Sequence, residues 1–160
     1  MTSSSAAGLF VFVVLCAAAA LMGSLFRPGQ WYERLKKPSW RPPNWLFAPV
    51  WSALYLMMAV AAWLVWKDVG LPAAQVPLAL WLGQLVINAA WTPAFFGLKR
   101  PDLGLVVIAA LWLAIATTIV AFAGLSPAAA WRMAPYLAWV SFAALLNLAV
   151  WRLNRPLAAG

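Results

Sequence analysis

Gln84 and Asn88 stand four residues apart inside a long apolar run, so a helix there puts both amides on one face. An amide donates and accepts hydrogen bonds but does not titrate. It offers recognition of a ligand or bonding between helices, and both readings stand. Groups with stronger chemistry are scarce. The chain has no histidine, and its carboxylate side chains are Glu33, Asp68 and Asp102, each in a loop or at the end of an apolar run. This excludes nucleophile–base pairs built on histidine, histidine-ligated zinc or haem iron, and a carboxylate relay at the membrane midplane. Cys16 is the single cysteine, so the chain forms neither an intramolecular disulfide nor a thiolate metal cluster. A conventional hydrolase and a proton-coupled transporter are both disfavoured, and no catalytic residue and no metal ligand is expected.

The elements that must position the amides follow from composition. Hydrophobic residues make up 66% of the chain and charged residues 9%, where a soluble domain carries roughly 25% charged residues. Lipid is therefore the expected solvent. Apolar runs at about 8–26, 45–66, 77–97, 103–124 and 132–151 are each long enough to cross ~30 Å of hydrocarbon as a helix. The expected fold is all-α: an integral membrane protein made of one five-transmembrane-helix bundle, in a single domain over 1–160. The first run lacks the basic leader and cleavage site of a signal peptide and is read as a span. No internal repeat of the transporter kind is visible.

Charge sets the orientation. Arg27, Arg34, Lys36, Lys37, Arg41, Lys99, Arg100, Arg152 and Arg155 fall on one side of this arrangement, and Lys67 and Arg132 on the other. This bias places the C-terminus in the cytoplasm and the N-terminus across the membrane. It explains the formal net charge of +8 as a signal for topology and lipid headgroups; nucleic acid is not an expected partner.

Between the first two runs lies loop 27–44. Its start, "RPGQWYERLKK", suits a short interfacial helix, and "PSWRPPNW" must be extended, because each proline fixes its own φ and restricts the residue before it. The segment reads as a semi-rigid lid over the bundle mouth or as an interfacial tryptophan anchor. Pro49 and Pro135 fall near the starts of their spans, and Pro93 lies deeper, where it can open space between helices. Ala79 with Gly83, and Ala110 with Ala114, form small-xxx-small pairs suited to close helix contact; the first suggests a homodimer. Trp45, Trp66, Trp131 and Trp151 sit at span ends as belt residues, whereas Trp51 and Trp139 lie within spans. With Asn88, Trp91 and Ala143 they occupy the half of the membrane beneath the loop. An aromatic cavity holding one or two amides suits a flat, mostly apolar ligand.

These blocks resemble a known family, that of the tryptophan-rich sensory protein and the mitochondrial translocator protein (peripheral-type benzodiazepine receptor), TspO/MBR. The likeness is carried by "WYERLKKPSWRPPNWLFAPVWSALY" at 31–55, "QLVINAAWTPAFFGLKR" at 84–100 and "PYLAWVSFAALLNLAVWRLN" at 135–154. The resemblance implies a five-helix, usually dimeric bundle that binds porphyrins, haem and benzodiazepine-type drugs beneath the first loop, with no required cofactor. Carried over by position, the ligand-binding residues are Trp31, Tyr32, Pro42, Trp51, Tyr55, Asn88, Phe96, Trp139 and Ala143. The expected partners are a porphyrin-type molecule, membrane lipid and a second copy of the chain. The family's cholesterol pattern maps to 146–152, where Leu148 replaces its tyrosine, which puts sterol binding in doubt. The implied function is a receptor that regulates porphyrin levels or transport. Light-dependent porphyrin degradation, reported for some bacterial relatives, and transport of porphyrin or lipid are the alternatives.

Overall fold

Backbone groups in hydrocarbon find no water to bond, so a long apolar stretch must satisfy them within itself. A computed structural model describing residues 3–155 shows this outcome throughout. Helix α1 spans Ser3–Ser24, the short α2 Gln30–Arg34, α3 Asn44–Thr92, α4 Pro101–Ala123 and α5 Pro127–Asn154; a π-helical turn, Pro93–Gly97, follows α3 directly. There is no strand among the described residues. Four helical stretches are long and apolar enough to cross a membrane: Ser5–Ser24, Asn44–Gly97, Pro101–Ala123 and Pro127–Asn154.

The second of these, 54 residues long, is not straight. Gly70 adopts φ 74 and ψ 165, a conformation open to glycine and almost to no other residue, and α3 folds back on itself there. Bonds between its two arms fix the antiparallel register. Trp81 Nε1 donates to the Met58 carbonyl at 3.2 Å, and Tyr55 Oη donates to Asn88 Oδ1 at 2.8 Å. Pro72 lies in the first turn after the reversal, where a missing N–H costs little. The apolar runs alone predict a connection of about ten residues here, between 66 and 77. The helix instead continues through Lys67 and Asp68, because charged side chains end an apolar run without ending a helix. Likewise α5 starts at Pro127, so Pro135 lies two turns inside it rather than near its start.

One buried cluster runs through α1, α3, α4 and α5. Phe12 meets Trp81 edge to face, Trp63 Nε1 donates to the Ser5 carbonyl, and Trp66 packs over Gly8, which has no side chain to obstruct it. Trp45 and Trp131 are exposed as belt residues should be, but Trp66 is half-buried against α1. Across the molecule α4 comes close to the π-helical turn at Gly104. A methyl group there would lie 2.9 Å from Phe95 Cδ2 and 3.0 Å from Asn147 Oδ1. Gly104→Ala is thus expected to destabilise the detergent-solubilised protein by about 1–3 kcal/mol. Gly124→Ala is the control: its added methyl would meet only the Ala121 carbonyl oxygen, at an ordinary 3.9 Å, so stability should stay within about 0.5 kcal/mol of the parent. Thermal unfolding of the two variants side by side checks the contrast.

Candidate functional site

The structure divides eight of the nine predicted ligand residues into two groups and places the ninth, Pro42, in the loop before α3. The first is built around a chain of polar side chains through the bundle centre. Tyr55, in the first arm of α3, donates to Asn88 Oδ1 in the second arm at 2.8 Å. Asn88 Nδ2 donates to Tyr136 Oη of α5 at 2.7 Å, and that hydroxyl donates to Gln84 Oε1 at 3.0 Å. Gln84, Asn88 and Tyr136 are all buried. Asn88 is therefore an interhelical tie, one of the two roles its position allowed. Trp51 lies against this chain, tilted on Tyr55 with ring centroids 5.6 Å apart and edge-on to Tyr136 at 6.1 Å. Trp139 and Ala143 follow Tyr136 on the same face of α5, at intervals of three and seven, and pack against the core.

Trp139 begins an aromatic stack that leads up to the loop. Its ring meets Phe47 at 5.8 Å and Phe142 at 5.6 Å, and Phe142 meets Trp40 of the loop at 5.8 Å. Three buried polar atoms lack a partner among the described residues: Ser5 Oγ, Thr92 Oγ1 and Trp139 Nε1. Hydroxyls on a helix can turn toward the carbonyl one turn back. An indole N–H cannot, so Trp139 holds a fixed, unused donor among aromatic rings.

The second group lies beside the first. Trp31 and Tyr32 of α2 rest edge-on against Phe95, Tyr32 also against Phe96, and Trp91 stacks on Phe95 at 5.1 Å. The π-helical turn makes this possible. Leu98 N–H donates to the Pro93 carbonyl at 2.9 Å, and the widened turn presents Phe95 and Phe96 together. Pro93 thus does interrupt the α-helix as its depth suggested, and it spreads aromatic rings rather than leaving open space. Trp91 Nε1 donates to Asn147 Oδ1, and Asn147 Nδ2 to the Pro101 carbonyl, which ties this group to α4 and α5.

The loop above is held at defined points. After α2, Lys37 lies over the Tyr32 ring at 4.5 Å and donates to the Glu33 and Leu35 carbonyls. Desolvation, followed by the nearby Arg41 charge, lowers the Lys37 pKa from its ordinary value, with Glu33 opposing. A turn closes from Arg41 N–H to the Pro38 carbonyl, and half-buried Pro42 leads into α3. Asn154 is the anchor that sequence reasoning missed. Its Oδ1 accepts from the Lys36 N–H and its Nδ2 donates to the Lys36 carbonyl, both at 3.0 Å. The available signal was its spacing, seven residues after Asn147 on the same stripe of α5. Tyr136 was missed too, although it precedes Ala143 by seven.

Two hollows open at this end. One of about 690 Å³ lies outside α5 beneath the loop and includes Trp40, Phe142, Leu148 and Arg152. The other, about 520 Å³, is bounded by α2, the turn before α4 and the end of α5. Of the nine predicted residues only Trp31 lines either hollow. Leu148 and Arg152, from the stretch 146–152 that departs from the cholesterol pattern at Leu148, face the outer one.

A helical membrane protein with aromatic side chains gathered beneath one proline-braced loop is the class these features define. The chain belongs to the TspO/MBR family, whose model matches residues 12–152. It is 45% identical to protein CrtK of Rhodobacter capsulatus over 90% of this chain and 91% of that protein. It is 43% identical to the human translocator protein over 89% and 88% of the two chains. The tryptophan-rich sensory protein of Cereibacter sphaeroides is 41% identical over 89% of each.

Asn88→Ala removes the acceptor of Tyr55 and the donor to Tyr136 at once. It is expected to lower stability by roughly 0.6–2 kcal/mol, with or without an added ligand. Equilibrium unfolding in detergent checks this; an unchanged midpoint would show that the polar chain ties nothing together.

Proposed function

We propose that this protein is a membrane receptor that binds a tetrapyrrole, protoporphyrin or haem, against the aromatic walls beneath loop 27–44, and thereby regulates porphyrin levels or transport. The observation that carries this reading is Trp139: a buried indole N–H without an acceptor, flanked by Phe47 and Phe142 and reached from the loop through Trp40. A flat macrocycle with peripheral carboxylates matches both features, because its ring offers stacking area and its oxygens can accept from the indole. Trp31, Tyr32, Pro42, Trp51, Tyr55, Phe96 and Ala143 supply the remaining walls, and Asn88 holds those walls in place.

The same reading includes the topology. The reversal at Gly70 makes two crossings of α3, giving five spans in all; if straight, the 54-residue stretch would be roughly 80 Å long, far beyond the hydrocarbon thickness. The structure gathers loop 27–44, the turn at 98–100 and the end of α5 at one end, where nine of the eleven cations lie. That end is cytoplasmic by the positive-inside rule. A reporter fused after Gly160 is expected to be active only in its cytoplasmic form; periplasmic activity would reverse the orientation. Ala79 and Gly83 are both exposed on the outside of the second arm, which supports a homodimer through this face.

Ligand entry requires the loop to lift, and prolines restrict the loop's freedom when it is open. Replacing Pro42 and Pro43 with glycine, or Asn154 with alanine, is expected to speed protoporphyrin release in stopped flow and change association less. Trp139→Phe should weaken equilibrium binding without altering the loop. Wild-type release rates in both loop variants would make the loop an anchor only. Loss of porphyrin absorption under illumination, against a no-protein control, would instead favour the degrading enzyme.

A further inference from the structure

The 520 Å³ hollow at the loop end is lined differently from the aromatic walls, sharing only Trp31 with them. Three segments far apart in sequence meet there. They bring Arg34, Lys99, Arg100 and Arg155 around a space walled by Trp31 and Trp151. Asp102 is the one carboxylate lining it, and it is already engaged. Arg100 donates to its two oxygens at 2.8 and 2.6 Å. That hydrogen bonding is the main cause holding the Asp102 pKa down to about 2, so the pair persists at neutral pH. Arg34, Lys99 and Arg155 have no carboxylate partner among the described residues. Arg155 instead lies over the Trp151 ring, 4.8 Å from its centroid.

This gathering is more than a fringe of headgroup-facing cations. Lys99 has φ 56, the left-handed region that a residue with a side chain adopts at a cost. The turn so formed brings Lys99 and Arg100 to the same hollow as Arg34 and Arg155. Cations gathered around one hollow repel one another, and an anion between them relieves that repulsion. An oxyanion with several acceptor oxygens meets guanidinium and ammonium donors from different directions better than a single-point anion does.

We propose that this hollow is a binding site for a phosphate group, carried either by an anionic lipid headgroup or by a soluble phosphate compound. The site is separate from the tetrapyrrole reading and does not depend on it.

The full chain in nanodiscs provides the test. One arm uses phosphatidylcholine discs with or without phosphatidylglycerol and counts lipid retained by the protein in native mass spectrometry. The other titrates inorganic pyrophosphate into phosphatidylcholine discs by calorimetry. The variant Arg34→Gln/Lys99→Gln/Arg155→Gln is compared with Arg27→Gln/Lys36→Gln/Arg41→Gln, which removes equal charge from the same end but outside the hollow. Wild type should show saturable one-to-one binding in at least one arm. The hollow variant should lose roughly tenfold or more in affinity, and the control should stay within about twofold. Retention of phosphatidylglycerol alone identifies a lipid headgroup, and pyrophosphate binding alone a soluble ligand; binding in both arms supports the phosphate site itself. No saturable binding by wild type in either arm, or equal losses in the two variants, would overturn the proposal.

Discussion

An amide or hydroxyl within hydrocarbon must be bonded, and that constraint organises this bundle. Tyr136 is the centre of the solution. Its hydroxyl accepts from Asn88 and donates to Gln84, while Asn88 accepts from Tyr55. These groups sit on α5 and on both arms of α3. Each of these helical segments is therefore held at the rotation about its own axis that pairs Tyr55, Gln84, Asn88 and Tyr136. The positions of Trp51 and Trp139 follow from that rotation, since both share a face with members of the chain. Apolar packing alone would tolerate several rotations in lipid, where neighbouring tails are as apolar as the core.

At the loop end a different economy applies. The segment 35–43 has almost no regular structure, and its order comes from proline stiffness and a few fixed contacts. Among these, Asn154 grips the backbone of Lys36 rather than its side chain. The grip therefore asks only for a backbone N–H and carbonyl at 36, which every residue but proline supplies. The same asparagine also donates to the Val150 carbonyl, so it is held by its own helix while holding the loop.

Much of this was legible in the sequence, and the gaps have physical causes. The helical runs could be read because hydrocarbon permits little else. Their ends could not, since Lys67 and Asp68 leave the apolar window yet remain helical. Trp51 with Tyr55, and Gln84 with Asn88, could be placed on common faces from their spacing. Which of these would bond to which depends on how α3 and α5 cross, and no single-helix periodicity contains that. Asn154 escaped notice because it lies beyond the apolar part of α5, where polar residues are ordinary. Lys99 gave no sign of its backbone, since the left-handed conformation is one that glycine or asparagine would announce.

The π-helical turn has a consequence for sequence register. The bond from Leu98 N–H reaches five residues back instead of four, so the turn holds one extra residue and the chain leaving Gly97 is advanced by one position, or roughly 100° around the helix axis. Within this turn Phe95 stacks on Trp91 while Phe96 meets Tyr32. A relative lacking one residue between Pro93 and Gly97 would align well on either side of the gap, yet it would send its loop to α4 out in another direction. In this stretch chain length, as much as residue identity, specifies the architecture of the loop end.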